Sequence, residues 1–510
     1  MVYKSYVLRD NTIVRDSNLN GGRNPIAEIY HGNGRESSTE KFYSRYLVKF
    51  DLDNLINKYN SGEICDLDKL THKLKIYNTS SFNRHIEGTF DSLNKRRATS
   101  FELLFFKIPK DFHEGVGYDY EGAVVDTTYL TPPLKQYNNF NFYESTFNKV
   151  DSTEPSNWFY AKNTEPWDIN GIYDPTTIDL TNYNGGIQDI NGLTVIGKME
   201  FEYGSENIDF DITEYVNQVL NGDIIDYGIG VSFTPDFELR QMDEGLTDTV
   251  NFHGKETHTI FEPHIETVYD DIIKDDRQNF YIGKSNRLYL YTKQNYTPIT
   301  LDELPMVDII DEDDNILLTI DRSDVKCSGK GVYYVDVDLS DVIDDCSKFN
   351  NCDGCTVFTD RWYDMSKDLM GICDISFEFG IVGCLDYYQL TTSDSNLDDI
   401  AISLTGINHG EKIKRGDIIK LNLNIKTLGN VYNNIKLNSA EYRIYVLEGK
   451  TQINIVDWHE FNNTLSGFNT LLDTNILIPS EYYVDIKLKR GYEVRTLVNK
   501  LNFHITNQKY

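Results

Sequence analysis

The stretch His258-Thr-Ile-Phe-Glu-Pro-His-Ile-Glu-Thr-Val-Tyr269 decides how the chain divides. Thr259, Phe261, His264, Glu266 and the residues between them read as an extended, β-rich run. Asp270, Asp271, Asp275, Asp276 and Arg277 then break it with charge, and a second strand-like run, Asn286-Arg-Leu-Tyr-Leu-Tyr291, follows at once. This pattern is the closing strand of a large first domain and the exit into a second. Pro263 inside the run predicts an edge position, because proline has no N–H to give a ladder. An edge strand at a domain junction is also a natural docking surface, which makes Pro263 and His264 candidate interface residues.

Working outward, the 510 residues allow about three or four domains at ~100–200 residues each. The formal net charge is −31, from 80 Asp and Glu against 49 Lys and Arg. That balance argues against tight binding to phosphate backbones or anionic membranes, both of which need clustered cations. Tyrosine (35) and phenylalanine (26) are abundant while proline (12) is sparse, a strand-favouring composition. The first residues, Met-Val-Tyr-Lys-Ser-Tyr-Val-Leu-Arg, contain no apolar core of a signal peptide, and no apolar run nears the length of a membrane span. The expectation is a soluble chain made in the host cytoplasm, in which cysteines stay reduced or bind metal.

The strands follow in order. Ile26-Ala-Glu-Ile-Tyr30 lies after the turn-forming Asn20–Pro25. In Ser44-Arg-Tyr-Leu-Val-Lys-Phe-Asp51, Tyr46, Val48 and Phe50 alternate with Arg45, Leu47 and Lys49. Residues 51–59 suggest a short helix capped by Asp51 or Asp53. Thr71–Tyr77 and Ser100–Ile108 are further strands. Residues 111–200 read as loop-rich, with Trp158, Trp167 and a tight Asn184-Gly-Gly186 turn. Residues 206–222 read as a strand and then a short helix with Thr213 as cap and Val216, Val219 and Leu220 as its apolar stripe. Tyr227–Phe233 returns to strand.

That order resembles a β-sandwich module, the DNRLRE-type, carbohydrate-module-like family. The resemblance is carried by Ser44–Asp51, Trp158 and Trp167, Asp211-Ile-Thr-Glu-Tyr-Val216 and Tyr227-Gly-Ile-Gly230, over about 250 residues. The long insert at 111–150 departs from the family pattern. With Glu262-Pro263, Glu266-Thr267 and Asp275-Asp-Arg277, the chain is also similar to virion proteins of tailed bacteriophages, the crAss-like phages of gut Bacteroidetes. That resemblance implies a building block of the neck or tail barrel rather than an enzyme.

Beyond the junction, Met306–Ile310 and Ile316–Ile320 flank Asp311-Glu-Asp-Asp-Asn315 as a hairpin with an acidic tip. Gly331–Val337 and Ile375–Phe379 add strands, and Trp362 is a candidate core residue. Asp417–Ile425, Glu441–Leu447, Tyr482–Leu488, Tyr492–Val498 and Lys500–Ile505 repeat the style to the end. The expected fold is all-β: a large N-terminal jelly-roll-like β-sandwich over 1–275, with a loop insert at about 111–160, followed by two smaller immunoglobulin-like β-sandwiches, a Cys-rich one over 276–385 and a C-terminal one over 386–510.

The sharpest chemical constellation is cysteine-based. Cys352-Asp-Gly-Cys355 has knuckle spacing for thiolate-bound zinc, with Cys327, Cys346 or Cys373 to complete the site. Reduced, partly buried thiols explain the same residues without metal. The acidic tip at 311–315 could ligate calcium but lacks the EF-hand spacing, so a solvated hairpin tip is the plainer reading. His253, His258 and His264 lie near Glu262 and Glu266, yet His258, Phe261 and His264, at spacings of three, do not keep one face of a strand, which favours packed or interface histidines over metal binding. Tyr137, Phe140, Phe142 and Tyr143, in the insert, suit a subunit contact or a sugar platform. With so many acids, pairs for glycoside hydrolysis carry no information, and no nucleophile-elbow, phosphate-loop, zinc-protease or dinucleotide motif is present.

These observations predict a non-enzymatic virion protein that forms a cyclic homo-oligomeric ring in the tail barrel or portal–tail neck. Its partners would be the portal and neighbouring ring proteins. An acidic lining would repel passing DNA instead of binding it, and no cofactor is required beyond a zinc ion at Cys352 and Cys355 if that site is built. The alternative is a carbohydrate-binding adhesin or fibre component recognising host glycan, for which Tyr137 and Trp167 would be platforms. A glycan-cleaving enzyme is a third reading.

Overall fold

Alternation of β-branched and aromatic residues with polar ones gives this chain many strands of five to ten residues and few helices, the pattern of packed sheets. The computed structural model describes residues 2–16, 20–33, 41–64, 67–79, 100–114, 155–162, 165–240, 247–269, 272–278, 280–294, 297–343, 357–364, 374–384, 400–427, 437, 439–464, 467–490 and 493–507. The fold is all-β. Two compact units are present: residues 4–56 with 71–268, and residues 269–510 with 1–3 and 57–70.

The first unit holds β1 (Val2–Val14), β2 (Ile26–Asn33), β3 (Lys41–Phe50), β4 (Leu70–Ile76), β5 (Phe101–Lys107), β6 (Tyr160–Lys162), β7 (Glu165–Pro166), β8 (Gln188–Ile190), β9 (Leu193–Phe201), β10 (Ile208–Asp211), β11 (Ile229–Phe233), β12 (Thr247–His253) and β13 (His264–Tyr269). It also holds helices α1 (Asp53–Asn60), α2 (Thr213–Asn221) and α3 (Pro235–Glu238). Eleven strands form one sheet in the order β10-β4-β13-β1-β3-β11-β5-β9-β8, with β2 and β12 branching from β3. β3 is the hub, pairing with β2 through Lys41–Tyr43 and with β1 and β11 further along. The sheet curls over itself: Phe105 of β5 stacks on Phe210 of β10, ring centroids 4.5 Å apart, although these strands stand far apart in the pairing order. Gly197 of β9 permits this, since a Cβ there would lie 2.2 Å from the Phe210 ring. On the other face, Leu47, Leu104, Phe106 and Val195 pack under Trp158, Trp167 and Tyr173. Central strands are therefore apolar on both faces.

Several expectations need correcting. His264–Tyr269 is a strand, but residues 259–263 are not. Lys255–Thr257 form a 3-10 turn and His258 takes a left-handed φ of 50°, so the chain turns before Pro263. Pro263 thus precedes the ladder and breaks nothing, and β13 lies inside the sheet between β4 and β1, not at an edge. Thr213 is the first residue of α2 rather than its cap; the Asp211 carboxylate accepts the Thr213 N–H at 2.8 Å instead. The 111–200 stretch contains β9, a nine-residue strand paired with β5.

The second unit holds two pairs of sheets. The first pair is built from β14 (Phe280–Ile282), β15 (Asn286–Tyr291), β18 (Met306–Ile310), β19 (Ile316–Ile320), β20 (Lys326–Gly329), β21 (Val332–Val337), β22 (Val357–Tyr363) and β23 (Asp374–Cys384), with the short β16 (Lys293–Gln294) and β17 (Thr297–Pro298) paired apart. Sheet β14-β23-β22-β18-β19 and sheet β15-β21-β20 enclose Leu288, Val307, Val335, Trp362 and Phe379. The second pair is built from β24 (Ile400–Thr405), β25 (Glu411–Lys414), β26 (Ile418–Thr427), β27 (Ser439–Glu448), β28 (Thr451–Glu460), β29 (Asn462–Thr464), β30 (Gly467–Asp473), β31 (Glu481–Arg490) and β32 (Glu493–Thr506). Its sheets run β24-β26-β30-β29 and β25-β32-β31-β27-β28. The two terminal strands expected from the sequence are one strand, β32, with Asn499 at a left-handed φ of 50° and a register shift beside it.

Candidate functional site

Most of the sequence-predicted site residues fall outside the described part of the structure. Cys346, Cys352, Cys355 and Cys373 lie outside the described residues, as do Tyr137, Phe140, Phe142 and Tyr143. Cys327 is half-buried on β20, its thiol 3.4 Å from the Gly329 carbonyl. No group of three metal-ligating side chains occurs among the described residues. Pro263 and His264 are buried, which removes them as docking residues. The three histidines part company. His258 is exposed, His253 stacks on Phe261, and His264 packs between the rings of Tyr6 and Tyr77. Burial holds His264 well below its ordinary pKa, with Lys4 adding to the effect. The Asp311 carboxylate closes the acidic hairpin by accepting the N–H groups of Asp313 (2.9 Å) and Asn315 (2.8 Å), a turn function rather than a calcium ligand. Trp167 is buried, its indole N–H donating to the Asn157 carbonyl at 2.8 Å, so it offers no platform to a sugar.

One cleft of about 510 Å³ opens in the first unit. Its walls are Tyr183–Ile187, Ile196–Lys198 of β9 and Phe210–Tyr215 at the β10–α2 junction. The Asn184-Gly-Gly186 turn shapes it. Gly185 and Gly186 have φ of 96° and 73°, a region that disfavours side chains. A Cβ on Gly186 would also stand 3.2 Å from the Glu214 carboxylate, which accepts the Ile187 N–H at 3.1 Å. The Tyr183 hydroxyl donates to the Gly186 carbonyl at 2.7 Å. Lys198 at the rim pairs with Glu102 at 2.9 Å. The cleft is lined by three aromatic residues, Tyr183, Phe210 and Tyr215, and two carboxylates, Asp211 and Glu214, each already committed to a backbone amide. That chemistry suits a small hydroxylated molecule.

The features that sequence reading missed are buried charges. Arg45 of β3 is wholly buried. Its Nε and Nη2 reach the Glu238 carboxylate of α3 at 3.0 and 2.6 Å, and Nη1 donates to the carbonyls of Gly171 (2.5 Å) and Tyr173 (2.9 Å). The guanidinium lies 3.5 Å from the Tyr173 ring centroid. Burial opposes its charge, but Glu238 and Tyr173 together hold Arg45 above its ordinary pKa. Arg277, which the sequence suggests is part of a charged break, is also buried. It donates to both oxygens of Asp360 at 3.0 and 2.5 Å, to Asp275 at 2.7 Å and to the Tyr289 carbonyl at 2.7 Å. The Trp362 indole N–H donates to Asp360 at 2.5 Å. In the last sandwich, Arg443 donates twice to the wholly buried Asp485 at 2.8 and 2.7 Å. The only signal of these pairs in sequence is an arginine within or beside an apolar strand.

No family model matches the sequence, and no curated protein matches it. Solved structures give faint likenesses. The α2-macroglobulin of Salmonella aligns at 12% identity over 45% of this chain and 14% of its own, with a TM-score of 0.16. The three N-terminal domains of the bacteriophage RB49 highly immunogenic outer capsid protein align at 12% identity over 45% and 67%, with a TM-score of 0.15. A titin fragment aligns at 10% identity over 46% and 94%, with a TM-score of 0.14. The chain therefore spans about a seventh of the macroglobulin it matches. At such scores these likenesses carry no argument about activity or partners.

Proposed function

We propose that the chain is a structural virion protein of a tailed, crAss-like bacteriophage, a repeated unit of a closed ring in the neck or tail barrel. The observation that carries this reading is the series of β-sandwiches, each pinned internally by its own arginine–carboxylate pair: Arg45–Glu238, Arg277–Asp360 and Arg443–Asp485. Losing either partner of a buried pair strands a charge at a cost of about 3–5 kcal/mol, which favours one packed arrangement of each module, as a repeated wall unit needs. The sequence resemblance through Ser44–Asp51, Asp211–Val216 and Asp275–Arg277 supports the same reading. The excess of 80 acids over 49 basic residues suits a lumen that repels phosphates. The ring's neighbours would be the portal and adjoining ring proteins.

Electron microscopy of the purified protein, alone and in its source particle, tests this. A closed ring on the particle axis is expected. A chain that stays monomeric at high concentration, both alone and mixed with neighbouring virion proteins, overturns it. A peripheral, fibre-like density would instead favour the adhesin reading, and the cleft beside Glu214 is where glycan binding would then be sought.

A further inference from the structure

An asparagine followed by glycine is open to one spontaneous reaction, closure of its side chain on the next backbone nitrogen, because glycine has no Cβ to block the approach. The chain carries six such pairs, beginning at Asn20, Asn33, Asn170, Asn184, Asn191 and Asn221. Gly34, after Asn33, lies outside the described residues; the other five glycines lie within them. The reaction consumes the glycine N–H, so an N–H held by an acceptor is protected until that bond opens.

Four of the five are held. The Gly21 N–H donates to the Thr12 carbonyl at 3.1 Å and to the Asn11 side-chain carbonyl at 3.0 Å. The Gly171 N–H donates to the Trp158 carbonyl at 2.7 Å, under a ring that a Cβ would meet at 2.4 Å. The Gly192 N–H donates to the Asp189 carboxylate at 2.9 Å, and the Asn191 side-chain amide is itself tied to the Thr177 carbonyl at 2.6 Å. The Gly222 N–H donates to the Val219 carbonyl at 3.0 Å, at the end of α2. Gly185 differs. Its carbonyl accepts from the Gln188 side chain at 3.0 Å, but its N–H has no acceptor among the described residues. Asn184 and Gly185 are both exposed, and a Cβ on Gly185 would meet nothing within 4 Å, so ring closure has room there.

We infer that Asn184 is a site of spontaneous covalent modification, which converts the 184–186 turn to an aspartyl or isoaspartyl form and reshapes the cleft it borders. The Gly185 N–H gives its proton to solvent hydroxide, and the nitrogen bonds to Asn184 Cγ. The Cγ–Nδ2 bond breaks and ammonia leaves, taking a proton from water, so the hydroxide is restored and a succinimide remains. Water then opens the ring. Cleavage of the bond to Cγ leaves aspartate; cleavage of the bond to the Asn184 main-chain carbonyl carbon leaves isoaspartate, with the chain routed through Cγ. Nothing is oxidised or reduced, and no step depends on the ring reading. Either product adds a negative charge to a wall that already carries Asp211 and Glu214. Isoaspartate also adds a methylene to the main chain, inside the loop that the Tyr183 hydroxyl closes on the Gly186 carbonyl and just before the Ile187 N–H that Glu214 accepts. The Ile187–Glu214 bond is the contact expected to give way.

The test is peptide-mapping mass spectrometry of the full chain, aged at mildly alkaline pH in the folded state and, in parallel, in urea. The urea sample gives each asparagine its rate without structure. Divided by that rate, Asn184 of the folded chain should react at least about tenfold faster than Asn20, Asn170, Asn191 and Asn221, each of which must first break a hydrogen bond. Asn184→Gln, whose side chain would have to close a larger ring, should melt like wild type and lose most of the isoaspartate. Equal normalised rates at all five sites, or isoaspartate undiminished in Asn184→Gln, would overturn the assignment. Hydrogen exchange on the isolated isoaspartyl form reads the cleft. The Ile187 amide should lose protection, and unchanged protection there would overturn the reshaping while leaving the modification site in place.

Discussion

Arg45 and Arg277 are both buried, both bidentate on a carboxylate, and both near an aromatic ring, yet their charge balance differs. Arg45 meets one carboxylate, Glu238, and fills its remaining contacts with two carbonyls and the face of Tyr173. Arg277 meets two carboxylates, Asp360 and Asp275, and the surplus negative charge is held by neutral donors: the Trp362 indole N–H on Asp360 and the Arg277 amide on Asp275. A one-to-one buried pair can in principle be replaced by an apolar pair of similar volume, because the two desolvation penalties vanish together. A one-to-two cluster cannot be replaced pairwise.

The largest expected effect follows from that difference. Breaking a buried pair by removing one partner costs about 3–5 kcal/mol, because the other charge is stranded. Arg45→Met strands one carboxylate and should fall in that range. Arg277→Met strands two and should exceed it, opening the sandwich of residues 280–384 first. Denaturant unfolding, with hydrogen exchange to locate the weakened sandwich, reads both. The doubles sharpen the comparison. Arg45→Met with Glu238→Leu should return to within about 2 kcal/mol of wild type. Arg277→Met with Asp360→Leu should not recover, because Asp275 remains. Equal recovery of the two doubles would show that Asp275 carries no charge of consequence and that the two plugs are alike.

The same contrast explains what the sequence could tell. Strand alternation located β5, β11, β18, β21, β27 and β31 within a residue or two, and β3 within three, because sandwich strands carry their inward face on every second residue. It also gave Trp362 a core position. It failed where tertiary packing reverses a local sign. Arg45 alternates like a solvent-facing residue, but Trp158 and Tyr173 cover that face of β3 as well. Asp275 and Arg277 look like a charged break because their partner, Asp360, is more than eighty residues away in sequence. Pro263 suggested an edge because a 3-10 turn next to a strand has no strong residue signature, and the turn moved the strand's start one residue past the proline. The cleft was half legible. The Asn184-Gly-Gly186 turn is plain in the sequence, whereas the meeting of that turn with Glu214 depends on the sheet curling until Phe210 reaches Phe105.

Asp10 extends the series to a buried carboxylate whose direct hydrogen-bond donors are both neutral. Its side chain on β1 is buried and accepts the Tyr46 hydroxyl at 2.8 Å and the Lys255 N–H at 2.9 Å. The Lys255 ammonium is taken by Glu114 at 2.7 Å. Burial raises the Asp10 pKa from 3.8 to about 7, against the pull of its two donors, and Glu114 adds to the rise. The folded chain therefore keeps a proton that the unfolded chain releases. A raised folded pKa makes this contribution complete below pH 3.8 and erodes it as pH climbs to about 7. Asp10→Asn removes the titration, so its stability relative to wild type should rise steadily from pH 5 to pH 8 and then level off. The whole span is at most about 4 kcal/mol, at 1.36 kcal/mol per pKa unit. Reading the difference between variant and wild type matters because buried His31, pushed down to about 4 mainly by burial, gives a slope of the opposite sign over pH 4 to 6.5. Urea unfolding of both proteins across that range isolates Asp10. A flat difference would mean that Asp10 is ionised in the fold and that the Lys255 amide and Tyr46 hydroxyl hold its charge unaided, as Trp362 and the Arg277 amide help to do for the surplus charge around Arg277.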